Sequence, residues 1–160
     1  MTEVEIEKIQ KEWGNGIVKI GREYSKNGYQ AAKSEAKKFI FEYYDYDHDQ
    51  EKNKVLFKPT LASKSPFRMS FKGTLSYFVG GNINYPEDTG FALKPYINVV
   101  WDNKKTLIIN DISAVAMGHY YFYDTQNKFT KVEYTFVYVM KGEKLKIISQ
   151  HSSLPYEPKK

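Results

Sequence analysis

TKVEYTFVYVMKGEKLKIISQHS, residues 130–152, reads as two long strands joined by a tight turn. Its side chains follow a period of two over 130–141 and again over 144–152, and Lys141-Gly142-Glu143 supplies the turn. In the second strand Leu145, Ile147, Ser149, His151 and Ser153 share one face, and Lys144, Lys146, Ile148, Gln150 and Ser152 share the other. The first set begins apolar, so alternation predicts that it faces inward. It then becomes polar at Ser149, His151 and Ser153. That change reads as the polar end of a pocket, or as a strand that has run out of core and left His151 and Ser153 wetted.

Upstream, the same period marks strands over 96–101, 106–110 and 114–124, with turns at Asp102-Asn103 and Asp124-Thr125-Gln126-Asn127. Short turns between long strands mean antiparallel hairpins. Before residue 80 the period is helical. Ile6, Ile9, Trp13, Ile17, Ile20 and Tyr24 form one stripe, interrupted by Gly14 and Gly16, which predict a kink or a close approach. Tyr29, Ala32, Ala36, Phe39 and Tyr43 form a second stripe, and a third, shorter helix is predicted over 69–79 before Gly80-Gly81. Helices first and a meandering sheet afterwards is an α+β layout. We expect one domain over 1–156 and a polar tail over 157–160.

The 160 residues include no cysteine, which excludes disulfide scaffolds, thiolate metal sites and cysteine nucleophiles. The three histidines, His48, His119 and His151, would all be needed for one three-histidine zinc site. No apolar run approaches the ~18 residues of a membrane span, and the acidic N-terminus does not read as a secretory signal. The expectation is therefore a cytoplasmic protein, with neither membrane nor nucleic acid as partner. The net charge is +5, but only Arg22 and Arg68 are arginine. Scattered lysines lack the bidentate fork that reads bases and phosphates, although a mild positive field favours a small anion.

Asp45, Asp47 and Asp49 have the alternate spacing of a calcium loop. Gln50 and Leu56 occupy the positions where such a loop needs glycine and glutamate, so a solvated loop is expected. His119, within Gly118-His119-Tyr120-Tyr121-Phe122, reads as a structural histidine, and Glu87 and Asp88 read as turn residues. A serine beside His151 is no triad, since no orienting group or oxyanion hole can be placed.

Several stretches, taken together, resemble a known family. They are Lys58-Pro59-Thr60-Leu61-Ala62-Ser63, Leu75-Ser76-Tyr77-Phe78-Val79-Gly80-Gly81, Tyr85-Pro86-Glu87-Asp88 with Gly90-Phe91-Ala92-Leu93, Ala116-Met117-Gly118, Lys131-Val132-Glu133-Tyr134-Thr135-Phe136 and His151-Ser152-Ser153-Leu154-Pro155-Tyr156. In this order they resemble the iota-class carbonic anhydrases, part of the nuclear-transport-factor-2-like (NTF2-like) group that also holds the calmodulin-dependent kinase association domain. The resemblance implies a cone of helices on a curved antiparallel sheet, often a homodimer, interconverting carbon dioxide and bicarbonate. It also implies pocket residues Thr60, Tyr77, His151 and Ser153. Where many members have histidine this chain has Gln150, which favours the metal-free version, with zinc as runner-up.

On that reading the hydroxyls of Thr60, Tyr77 and Ser153 hold the oxygens of bicarbonate. His151, whose type titrates near ~6.5, moves the proton better than a phenol near ~10. The competing expectation is a non-catalytic oligomerisation or small-ligand-binding module on the same fold.

Overall fold

The computed structural model describes residues 1–46 and 54–159. His48, Asp47 and Asp49 lie outside the described residues, so the calcium-loop and His48 readings are not addressed by it.

The first helix, α1 (Glu3–Asn27), starts at a capping box in which Thr2 and Glu5 each accept from the other's backbone N–H. Its stripe of Ile6, Ile9, Trp13, Ile17 and Ile20 is buried. The helix is continuous through its two inner glycines, which serve close approach. A Cβ on Gly14 would stand 3.0 Å from the Val99 Cβ, and one on Gly16 would stand 2.5 Å from the Phe39 ring. The second helix, α2 (Tyr29–Tyr43), follows Gly28, and α3 (Phe71–Val79) is capped by the Ser70 side chain.

Among the described residues five strands follow or intervene: β1 (Leu56–Lys58), β2 (Tyr96–Asn110), β3 (Ser113–Asp124), β4 (Phe129–Lys141) and β5 (Lys144–Ser153). They form one sheet in the order β1-β5-β4-β3-β2. β1 runs parallel to β5, and the other pairs are antiparallel. The helices cover one face, where Trp13 meets Trp101, Tyr120, Phe122 and Phe136 ring to ring. This is the α+β layout that the spacing predicts, with helices on one face of a largely antiparallel sheet as the family resemblance implies.

Two strand expectations are corrected. The segments over 96–101 and 106–110 are one strand, and Asp102-Asn103 is no turn. The ladder to β3 continues through His119 and Gly118, with a register shift between Asn103 and Lys105. Asn103 turns its amide into the core, where it exchanges hydrogen bonds with Gln10 at 3.0 and 2.7 Å. A turn would forfeit that pairing.

The second correction concerns which face of β5 is inward. Tyr138 pairs with Ile147, but Val137 pairs with Ser149, leaving Ile148 as an extra residue. Such a bulge reverses the alternation beyond it. Ile147 faces the core beside Tyr138, and after the bulge Gln150 and Ser152 face the core opposite Phe136 and Tyr134. Ser149, His151 and Ser153 pair with Val137, Thr135 and Glu133 on the outer face.

Candidate active site

The inner site is assembled from both ends of the sheet edge and from α3. Phe57 in β1 pairs with Gln150, and its ring lies between Phe78, stacked at 5.8 Å, and Tyr77, edge-on at 5.7 Å. Three residues beyond Phe57 the chain turns at Thr60. The Leu61 N–H, next to Thr60, donates to the Tyr77 phenol oxygen at 3.2 Å, and the Thr60 hydroxyl lies close enough to that phenol to favour its ionised form slightly. The Tyr77 ring is held in turn by Phe91 at 5.5 Å.

A second cluster crosses from β3 to β5. The Tyr120 hydroxyl is hydrogen-bonded to Ser152 Oγ. Gln150 Nε2 donates to the Tyr120 oxygen at 3.2 Å, Tyr44 donates to Gln150 Oε1 at 2.5 Å, and Trp13 Nε1 donates to the Tyr44 oxygen at 3.0 Å. Lys58 Nζ donates to the Ser152 carbonyl at 2.9 Å, and partial burial lowers its pKa. Tyr120 lies close enough to Tyr77 to disfavour ionisation of its phenol.

Burial is the main cause that raises both phenols, Tyr120 up to about 12 and Tyr77 higher still. Both are therefore neutral hydroxyls at physiological pH, able to donate and to accept but unsuited to act as bases.

The loop carrying Thr60 is clamped from the opposite turn. The Glu87 carboxylate accepts from the N–H groups of Ser63, Lys64 and Ser65 at 2.7, 3.2 and 2.7 Å. These bonds, led by that from Ser63, hold its pKa below the usual range. Next to it Asp88 receives both arms of the fully buried Arg68, at 2.7 and 2.8 Å, and the Ser76 hydroxyl at 2.6 Å. Arg68 also donates to the carbonyls of Ser65 and Gly73, and its guanidinium lies over the Tyr85 ring at 4.3 Å. Glu87 and Asp88 are thus turn residues that also fix the loop presenting Thr60.

Of the four residues singled out from sequence, Thr60 and Tyr77 come together. His151 is exposed and Ser153 half-buried, and both line an open outer depression with His119, Glu133 and Thr135. The bulge at Ile148 puts them there. His119 Nε2 stands 3.6 Å from Glu133 on that same outer side. Ser152, Tyr120, Gln150 and Tyr44 take the inward positions that strict alternation assigned elsewhere or passed over. The adjacent Ser152-Ser153 pair was the available signal, because whichever way the strand is phased one serine faces in.

The profile of the metal-independent carbonic anhydrase family matches residues 4–154. The chain belongs to the metal-independent carbonic anhydrases. A member from Nostoc sp. (strain PCC 7120) is 41% identical over 159 residues, covering 98% of this chain and 75% of that protein. The crystal structure of a cyanobacterial iota-carbonic anhydrase complexed with bicarbonate superposes with a TM-score of 0.92 at 40% identity, covering 99% of this chain and 94% of that one. A nuclear-transport-factor-2-like protein from Shewanella oneidensis shares the fold alone, with a TM-score of 0.54 at 13% identity over 96% of this chain and 99% of that one.

The family works without a metal, which sets aside zinc, the runner-up from sequence. Among the described residues no group of three or more His, Cys, Asp or Glu side chains could hold a metal ion. Among the described residues, too, no helix is long and apolar enough to cross a membrane.

Proposed function

We propose that this chain interconverts carbon dioxide and bicarbonate on its inner sheet face, with Thr60, Tyr77 and Ser152 as the groups that touch the substrate and Tyr120 behind Ser152. The observation that carries this reading is that Tyr77 packs on Phe57, whose strand partner Gln150 donates to Tyr120, the hydrogen-bond partner of Ser152, so hydroxyls from α3 and β5 gather at one aromatic wall. The 40% identity to an iota-carbonic anhydrase that binds bicarbonate supports it.

The chemistry follows from what these groups are. A bicarbonate oxygen needs donors, and neutral hydroxyls supply them without a competing charge. In dehydration the carbon–hydroxyl bond breaks and negative charge gathers on the departing oxygen. Fixed donors in a site walled by Phe57, Phe78 and Phe91 stabilise that charge more strongly than water does. In hydration the same donors hold the oxygens of carbon dioxide while a water oxygen bonds to carbon, one carbon–oxygen double bond becomes single, and the proton released passes to solvent water. Among the described residues, none of the hydrogen-bond partners of these hydroxyls is a carboxylate or an imidazole, so the reading rests on positioning and polarisation. His151, the proton carrier expected from sequence, has no place in it because it faces outward.

Stopped-flow hydration of carbon dioxide by chelator-treated protein tests the proposal. A rate well above buffer, lost in Ser152→Ala and Tyr77→Phe, is expected. A rate equal to buffer overturns the catalytic reading in favour of a ligand-binding module. A homodimer and a cytoplasmic location belong to the same reading. Exposed Leu107, Ile109, Ile112 and Met117 offer apolar surface for a second copy, and sedimentation and cell fractionation test the two points.

A further inference from the structure

The buried chain from Trp13 to Ser152 has a direction, and the direction follows from counting protons. The Trp13 indole N–H only donates, so the Tyr44 oxygen accepts from it. Tyr44 has one proton, and it goes to Gln150 Oε1. With its carbonyl oxygen thus assigned, Gln150 presents its NH₂ to the Tyr120 oxygen. The one proton of Tyr120 then goes to Ser152 Oγ, its other partner among the described residues. Ser152 accepts at that bond and keeps its own proton for a different partner.

We propose that Trp13, Tyr44, Gln150 and Tyr120 are positioning residues that set the Ser152 hydroxyl as a donor toward the bound bicarbonate. The proposal rests on the reading of the inner face as the bicarbonate site and adds how its serine is oriented. The chain is not a proton wire. It ends on an indole N–H and passes through an amide, neither of which hands on a proton at ordinary pH. Its members are nearly or wholly buried, with Gln150 3% and Ser152 1% exposed, so water does not compete for these bonds.

Loss of the Tyr44 hydroxyl frees the Gln150 amide to turn over. Its oxygen then faces Tyr120, which donates to it, and Ser152 must donate to Tyr120. The whole chain reverses, and the proton that would have met the substrate is consumed inside the protein.

A double-mutant cycle between Tyr44→Phe and Ser152→Ala tests this, read as the bicarbonate dissociation constant by ¹³C NMR titration and as kcat/KM for hydration. Tyr44→Phe is expected to weaken bicarbonate binding about tenfold when Ser152 is present and by less than about twofold in the Ser152→Ala background. Equal losses in both backgrounds, or no loss with Ser152 present, overturn the relay and leave the bicarbonate site standing. A Ser152→Ala protein that binds bicarbonate as tightly as the parent overturns the site itself, and the relay with it. If Tyr44→Phe gives no cooperative thermal transition, Gln150→Met removes the same link and takes its place in the cycle, with the same outcomes.

Discussion

Ser152 and Ser153 are consecutive in β5 and face opposite sides of the sheet, Ser152 paired with Tyr134 over the core and Ser153 paired with Glu133 outside. One bulge residue, Ile148, decides which of the two meets Tyr120. The pair therefore makes a matched experiment. Ser152→Ala is expected to lower kcat/KM for hydration on the order of 10²-fold, the scale of one lost donor to a developing negative oxygen. Ser153→Ala is expected to stay within about twofold, as an outer-face change far from such a donor does. Stopped-flow assays of both proteins at equal concentration check this, and a reversed order would place the site on the outer face.

His151 is exposed on that outer face. His151→Ala is expected to hydrate carbon dioxide at the parental rate with an unchanged pH profile between 6 and 8, roughly the range in which a histidine titrates. A new inflection or a large drop in rate would restore the imidazole as the proton carrier.

Tyr77→Phe removes the oxygen that accepts from Leu61, next to Thr60. Activity is expected to fall with that of Ser152→Ala. Stability is expected to fall by only about 1 kcal/mol, because Leu61 is exposed and its freed N–H can turn to water. Urea unfolding separates the two effects.

Arg68 is the largest charged group in the interior, paired with Asp88 and fully buried with it. Asp88→Asn leaves the guanidinium with the Glu87 carboxylate, 3.9 Å away, as its remaining charged partner. Breaking such a pair from one end is expected to cost about 3–5 kcal/mol in urea unfolding. A loss under about 1 kcal/mol, the scale of an exposed pair, would show that the buried geometry is relaxed in solution.

The Glu87 clamp makes stability depend on acid. Its carboxyl titrates below the ordinary 4.5 in the folded chain because three backbone N–H groups bind the charged form. The group therefore contributes stability that is full above 4.5 and is lost as pH falls through the lower folded value. The thermal midpoint of the parent should fall more steeply below about pH 4.5 than that of Glu87→Gln. Parallel curves would mean that the carboxylate does not hold the loop.

The helical stripes of Ile6 to Ile20 and Tyr29 to Tyr43, the hairpin at Gly142 and the α+β order were legible because each depends on spacing between near neighbours. Tyr77 and Thr60 were reached through family resemblance, and neither stands out by local pattern. Arg68 was singled out only as one of two arginines, and nothing local to it marks it as buried. Its burial depends on Asp88 and Tyr85, which approach it only when the chain folds back. Asp102-Asn103 reads as a turn by composition, yet Gln10, far away in the chain, draws the Asn103 amide inward and keeps the strand whole.

Residue order alone was enough for the helix faces, for four of the five described strands apart from one false break, with the short β1 (Leu56–Lys58) missed, for the absence of thiol chemistry and for the family. Which side of β5 meets the substrate was left to the folded chain. Alternation is a local rule, exact only while each residue has one partner across the ladder. The extra residue at Ile148 is a mismatch between two strands, next to the buried pair of Tyr138 and Ile147. Such a mismatch belongs to the pairing and to neither strand alone.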